Sequence, residues 1–146
     1  MNLSLFFTGL VSLSTLLLLF SQSRSLIASL KIQAYQHIVS SQIEVDKLFL
    51  IHPDLRPFLY GDADLPHTDS DLGIRARVVL DIALNVIDST HQQRHLIPKL
   101  MLPSWLHYAS ETTSRPAVKQ FLGEHPNWYP FAISGEYDRL LAEIKS

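Results

Sequence analysis

The first twenty residues restrict this chain more than any other part of it. Residues 3–20 contain no charged residue and no proline, only leucine, phenylalanine, valine and glycine with scattered serine and threonine. As a helix this run would rise about 27 Å, close to the thickness of the hydrocarbon core of a bilayer. The segment therefore predicts a membrane-spanning anchor, which we assign to residues 1–22.

Two other interpretations of this segment are open, a cleaved signal and a buried core helix. A secretory signal has a basic start, an apolar core of about 7–15 residues and a small-residue cleavage site. Here no Lys or Arg precedes the apolar run, and no A-x-A site follows it. Arg24 and Lys31 come soon after the run. The positive-inside rule therefore predicts a single-pass membrane protein whose C-terminal domain lies in the cytoplasm.

The remainder has the composition of one small domain. The formal net charge is −2, and the 12 Lys and Arg residues are scattered, which argues against nucleic-acid binding. Cysteine is absent, which excludes disulfides, thiolate nucleophiles and Cys-ligated zinc. The motifs of P-loop, dinucleotide-binding and serine-hydrolase enzymes are also missing. We expect no cofactor.

Apolar residues recur with a helical period after the anchor. Between Gly9 and Pro53 there is neither glycine nor proline. We therefore expect the anchor to continue as a stalk helix over residues 23–51, interrupted at most at 21–25. Its apolar seam must pack against later helices or against a second copy of the chain. The seam consists of Ile27, Leu30, Ala34, Ile38, Val45 and Leu48.

Residues 52–146 are predicted to form a small, irregular helical bundle that packs on the stalk. Prolines end the stalk helix, and a loop rich in turn formers follows over residues 58–71, with Asp69 or Ser70 capping the next helix. No segment alternates with the period of a strand, so the predicted fold class is all-α. Helices are expected at 71–94, 104–112, 116–122 and 136–144. The apolar face of the first of these is expected to be Ile74, Val78, Ile82, Ala83, Val86 and Ile87.

One segment has a distinctive sequence, His52-Pro53-Asp54-Leu55-Arg56-Pro57-Phe58-Leu59-Tyr60. It resembles the hPELRPYFY signature of an uncharacterised family of small bacterial proteins with an N-terminal membrane helix. A Trp-centred segment at 103–108, a proline-led helix at 115–122 and the pair Trp128-Tyr129 also resemble that family. Leu59 departs from the signature, where a second aromatic residue is usual. The resemblance implies an all-helical, membrane-tethered domain and transfers no catalytic residue.

Asp88, His91 and His95 are the main candidate metal ligands. They lie at i, i+3 and i+7 of one predicted helix, so their side chains share a face. The glutamate of the H-E-x-x-H zinc motif is missing, and Arg94 stands beside the imidazoles. A solvated helix end is therefore the preferred interpretation, and a weak metal site is the alternative. The carboxylates in the loop before this helix are explained by exposed turns.

Arginine and aromatic residues near two proline corners are the candidate binding residues. The corners begin at His52 and His125 and share the pattern H-P-x-x-x-P. Trp, Tyr and Arg dominate protein interfaces when they are exposed. An acidic partner for Arg56, such as Asp54 or Glu124, would instead mark it as a structural clamp. The candidates are Arg56, Phe58, Tyr60, Trp105, Trp128 and Tyr129.

Two functions of different classes follow from these observations. The preferred one is a tether or accessory subunit, held in the membrane by residues 3–20, that binds a protein partner or itself. The alternative is a membrane-tethered enzyme, or a domain that binds a small ligand or metal. It requires His52, Asp54, Arg56 and Tyr60 to converge on one pocket with His91 or His107.

Overall fold

The first element is one uninterrupted helix. The computed structural model describes residues 3–145, so the first two residues of the predicted anchor and the last residue of the chain lie outside it. Helix α1, Leu3–Ile51, has 49 residues and is about 73 Å long. No proline interrupts its hydrogen-bond ladder. The predicted continuation of the apolar segment into one long helix is confirmed, without a break at 21–25.

The two halves of α1 have opposite surroundings. Every side chain from Phe7 to Gln33 is exposed. Ile38, Val45 and Phe49, in contrast, are buried against later helices. The first half packs against nothing in the described chain, so it is not a core helix of this domain. Of the helices described, α1 is the one that is long and apolar enough to cross a membrane, judged by length and composition.

The chain turns sharply after α1. A 3-10 turn, Pro53–Leu55, leads directly into the short helix α2, Arg56–Tyr60. Both elements have proline in the first turn, where its missing N–H is not needed. Phe58 and Leu59 are buried, so the corner fixes the end of α1 to the core. The loop that follows starts three residues later than predicted.

Helix α3, Asp71–Gln92, packs antiparallel to the second half of α1. Its first turns lie beside the corner, where Arg75 pairs with Asp54 at 3.1 Å. Its last turns lie beside residues 37–41 of α1. The helix ends two residues earlier than predicted and is followed by a 3-10 turn, Arg94–Leu96. The C-terminal end of α3 therefore points towards the exposed half of α1.

The start of α3 is fixed by a cap and a glycine. Ser70 Oγ accepts a hydrogen bond from the Gly73 N–H at 3.0 Å, which confirms the predicted cap. Gly73 is packed against the preceding loop, where a Cβ atom would lie 2.0 Å from the His67 carbonyl oxygen. Only glycine permits this close approach.

The buried face of α3 is rotated from the predicted one. Ile74, Val78 and Ile82 are exposed, so the prediction was wrong for these three residues. The prediction assigned the buried face to the large β-branched side chains. The helix instead packs with a face that includes Ala76 and Ala83, because small side chains let neighbouring backbones approach closely. The buried apolar residues are Ala76, Val79, Leu80, Ala83, Leu84 and Ile87.

Four more helices complete the bundle. No strand occurs among the described residues, which confirms the all-α fold class. The pair α4 and α7 has the most extensive contact, and α4 also packs on α5. The four are α4, Leu102–Ser114; α5, Pro116–Glu124; α6, Pro130–Ile133; and α7, Glu136–Lys145. Central core side chains include Leu80, Leu84, Leu106, Val118 and Phe121.

Candidate functional site

A largely apolar groove lies between α1 and α4. We call it the α1–α4 groove. Its volume is about 430 Å³, within the range of small-molecule pockets. Its α1 side is Tyr35, Ile38, Val39, Gln42, Ile43 and Asp46. Its other side and floor include Tyr60, Val86, Ile97, Met101, Trp105 and Tyr108.

The groove follows both helices for two to three turns. From Tyr35 to Asp46, α1 rises about 17 Å. Tyr60 is bonded to Asp46 and lies close to Tyr108, so these residues mark one end. Met101 directly precedes α4 and stands seven residues before Tyr108, so it lies towards the Tyr35 end. A segment bound in the groove would lie along α1.

A hydrogen-bonded group closes the Asp46 end of the groove. The Tyr60 hydroxyl donates to Asp46 Oδ1 at 2.8 Å and accepts from Gln42 Nε2 at 3.1 Å. The ring of Tyr60 packs edge-on against Phe49, with centroids 5.3 Å apart. Burial raises the pKa of Tyr60 well above its ordinary value, and nearby Tyr108 and Asp46 raise it further. Tyr60 therefore remains a hydrogen-bond donor at neutral pH.

Tyr108 supplies a second phenol in the same wall, next to that of Tyr60. Its hydroxyl oxygen is buried. The polar groups at this end are two phenols, an amide and a carboxylate, which suit binding rather than covalent chemistry. The lining is thus apolar along most of its length and polar at the Asp46 end.

The structure separates the predicted binding residues. Tyr60 and Trp105 meet in the α1–α4 groove. Arg56 lies in a neighbouring groove with Glu111 and Arg115, and this groove shares Asp46 and Tyr60 with the first one. The clamp suggested for Arg56 does not form, because its two acidic candidates pair with other arginines.

The remaining three candidates lie elsewhere. Phe58 and Tyr129 are buried, and the Tyr129 hydroxyl donates to the Asp81 carboxylate. These two residues stabilise the core and are not accessible to a binding partner. Trp128 is exposed and stacks on His125 with ring centroids 4.0 Å apart.

The polar residues of the proline corner do not converge on one pocket. Asp54 pairs with Arg75 near the start of α3. His91 lies 16 positions further along the same helix, a rise of about 24 Å. Asp54 and His91 are therefore at opposite ends of α3, and His107 is exposed on α4.

His91 is buried near the C-terminal end of α3. Its side chain is 0% exposed, and its ring packs on Phe131 and Tyr137 at centroid distances of 4.2 and 5.3 Å. Nε2 lies 3.6 Å from Glu136 Oε1 and 3.3 Å from Arg94 Nη1. Nδ1 has no hydrogen-bond partner among the described residues. The interpretation of His91 as part of a solvated helix end is therefore wrong.

The three metal candidates are not gathered into a site. Because α3 ends at Gln92, His95 lies exposed in the following turn and no longer shares a face with His91. Asp88 Oδ2 accepts from Gln92, while its buried Oδ1 has no partner in the part of the chain that the structure describes. Within that same part, no three His, Cys, Asp or Glu side chains are placed to hold a metal ion.

Acid is expected to destabilise the protein through His91. Burial, and secondly Arg94, lowers the pKa of His91 below its ordinary value of 6.5, although Glu136 and Asp88 oppose the shift. Below pH 6.5 His91 binds a proton in the unfolded chain but stays neutral in the folded protein. The unfolding free energy therefore falls as the pH falls. Urea unfolding of the full chain in detergent, followed by tryptophan fluorescence between about pH 7 and pH 5, measures this slope.

Two variants isolate the contribution of His91. His91→Gln removes the titrating group and is expected to flatten the pH dependence. His95→Gln changes an exposed histidine four residues away and is expected to leave the slope intact. If the unfolding free energy of His91→Gln depends on pH as steeply as that of the unmodified protein, His91 is not the cause of the acid destabilisation.

Among the groove residues that the sequence analysis missed are Tyr35, Val39 and Ile43 on α1. They recur at i, i+4 and i+8 and form a second apolar stripe on α1, beside the predicted seam. A helix that packs on only one side needs a single apolar face. The second stripe was therefore the signal for a further apolar surface on α1.

No family model, no curated protein and no solved structure matches this chain. The resemblance to small bacterial proteins with an N-terminal membrane helix therefore stays a prediction. The geometry of α1 and of the α1–α4 groove is the basis for a functional hypothesis.

Proposed function

We propose that the protein is a single-pass membrane tether whose helical domain binds a helical segment of a protein partner in the α1–α4 groove. The observation that carries the proposal is the division of α1. Its first half is apolar and exposed, and its second half forms one wall of the groove. One continuous helix thus joins the membrane segment to the binding site without a flexible linker.

The exposed half of α1 favours a lipid environment. Leu13, Leu16, Leu17 and Phe20 are each more than half exposed, and an apolar surface of this extent is unfavourable in water. A bilayer removes that cost, since the acyl chains replace water around the side chains. The basic residues that follow the segment favour a cytoplasmic position for the domain.

The α1–α4 groove favours a helix as its occupant. An amphipathic helix presents apolar anchors at i, i+3 or i+4, and i+7, which matches the two to three turns of the groove. Val39, Ile43 and Met101 are partly exposed along its length, so a bound helix would cover them. Asp46 at one end favours a Lys or Arg on the partner, and half-buried Trp105 offers an aromatic anchor.

Site-specific photocrosslinking tests the groove. A photoreactive phenylalanine analogue at position 43, in the full chain in its native membrane, is expected to give one discrete adduct. The same analogue at position 74 is the matched control, since Ile74 is also an exposed isoleucine on a helix but lies outside the groove. An adduct of twice the chain mass would identify a second copy, and a different mass would identify another protein.

A second substitution confirms that the adduct depends on the groove. Val39→Glu places a charge in the apolar wall and is expected to abolish crosslinking from position 43. Adducts of equal yield from positions 43 and 74, or no adduct from either, would contradict the proposal.

A further inference from the structure

The connection between α3 and α4 lies at the end of the domain that faces the predicted membrane segment. We call residues 93–101 the membrane-facing loop. Because α3 is antiparallel to α1, its last turns return to residues 37–41 of α1. The chain then continues in the same direction, and Ile97 and Met101 line the α1–α4 groove together with Tyr35.

The tip of the membrane-facing loop is apolar and exposed. Leu100 is 87% exposed and Met101 is 42% exposed. On α1, exposed apolar side chains continue from the predicted span as far as Ile32. Ile32 precedes Tyr35 by three residues, about 5 Å of helix. Exposed apolar surface on α1 therefore extends almost to the level of the loop.

Charge is distributed very unevenly along the chain. Residues 1–43 and 89–110, which form the predicted span, the nearest part of α1, the loop and the start of α4, contain no Asp or Glu. All 14 acidic residues and the other eight basic residues lie in the rest of the chain. The basic residues of the two acid-free segments are Arg24, Lys31, Arg94 and Lys99.

Carboxylates from other parts of the chain also reach this end of the domain. Asp88 accepts a hydrogen bond from Gln92, and Asp138 accepts one from Ser110. Glu136 lies 3.6 Å from His91 Nε2, and its side chain is largely buried. None of these carboxylates belongs to the membrane-facing loop, whose own charged residues are the two cations Arg94 and Lys99.

We infer that the membrane-facing loop docks on an anionic lipid surface. Leu100 and Met101 enter the boundary between headgroups and acyl chains, while Lys99 and Arg94 lie at the lipid phosphates. Apolar side chains flanked by basic ones are the combination that binds such interfaces. The inference rests on the proposed membrane anchor, and it adds a second contact that fixes the domain against the bilayer and keeps the Tyr35 end of the groove near the lipid surface.

A lipid surface fits this end better than a second copy of the chain does. Two copies that met through the loop would bring the same cations together without an exposed carboxylate from the acid-free segments to offset them. An anionic leaflet provides the opposite charge. The end of the predicted span at residue 22 lies about 20 Å along α1 from Tyr35, so a tilt of α1 towards the side of the loop brings the loop to the lipid surface.

Fluorescence quenching by lipids with brominated acyl chains tests the inference in the full chain. Because the chain has no cysteine, single cysteines can carry an environment-sensitive fluorophore. Leu100→Cys reports the loop, Leu17→Cys reports the anchor, and Asp64→Cys in an exposed distal loop is the control. The proteins are reconstituted in phosphatidylcholine vesicles with and without phosphatidylserine.

We expect quenching at position 17 in both vesicles, quenching at 100 that increases several-fold with phosphatidylserine, and none at 64. Lys99→Glu in the Leu100→Cys chain is expected to remove that increase.

Quenching at 17 without quenching at 100, or equal quenching at 100 in both vesicles, would overturn the loop inference and leave the anchor standing. Absence of quenching at 17 would overturn the anchor itself and the loop inference with it. A blue shift at position 100 in detergent that grows with protein concentration would overturn the inference in favour of a second copy.

Discussion

Replacing Leu13 and Leu17 with arginine is expected to release the protein from membranes. Arginine at the centre of a span costs about 3 kcal/mol, and the lost leucine contributes about 0.5 kcal/mol more. Two such changes total about 7 kcal/mol, which is about five orders of magnitude in the insertion equilibrium. Both leucines are exposed and contact no part of the bundle, so the domain should fold normally. The measurement is the fraction retained in membranes after alkaline carbonate extraction.

A matched control lies on the same helix. Leu50→Arg with Ile51→Arg also replaces two exposed aliphatic residues of α1, but at the end that belongs to the domain. This double variant is expected to remain in the membrane fraction. Extraction of the unmodified protein by carbonate would contradict the anchor. An intact mass that lacks the first twenty residues would instead favour the cleaved signal.

The second large effect is expected from Arg77→Met. The Arg77 guanidinium donates to both carboxylate oxygens of Glu124 at 2.7 and 2.8 Å, and to the Pro66 and Gly73 carbonyls at 3.0 and 3.2 Å. Its side chain is 13% exposed. Arg77 therefore joins the loop before α3 to the end of α5. Removing it leaves the Glu124 carboxylate and the Pro66 carbonyl without this donor, whereas the Gly73 carbonyl keeps its backbone bond within α3. We expect a loss of about 2–4 kcal/mol in unfolding free energy.

The neighbouring Arg75 provides the comparison. It also bridges two carboxylates, Asp54 and Asp71, at 3.1 and 2.9 Å. Arg75 and both of its partners are more exposed than Arg77 and Glu124, so water and salt screen the interaction more strongly. Arg75→Met should therefore shift the urea midpoint of the full chain much less than Arg77→Met. Equal shifts would show that Arg77 has no special structural role. Arg77→Lys is expected to recover part of the loss only, because lysine lacks the fork that binds Glu124 in two places.

The two arginines show where sequence reasoning stops. Both stand on α3, two residues apart, and nothing in the sequence distinguishes them. The rotation of α3 decides the difference, since it directs Arg77 towards α5 and leaves Arg75 at the surface. The same rotation explains why the apolar face of α3 was assigned to the wrong residues, with Ile74 and Val78 in water.

The α1–α4 groove also contains residues whose exposure the sequence alone did not determine. Tyr60 and Trp105 were singled out by residue type, and they do meet. Phe58 is also aromatic and stands only two residues before Tyr60, yet it faces the core. Residue type identifies an aromatic anchor, but only packing decides whether that anchor is buried or lines a surface.

The sequence by itself determined the elements of this protein. An apolar run without charge, and the absence of proline before Pro53 and of glycine between Gly9 and Pro53, dictate one long helix. Helix formation depends on local hydrogen bonds and nearby side chains. Helical periods and proline positions also determined the all-α class and most helix boundaries. The tertiary structure alone decided which face of α3 is buried, that His91 is enclosed, and that α1 and α4 leave a groove between them. Those features depend on how side chains distant in sequence fit together, and that fit has no local signature.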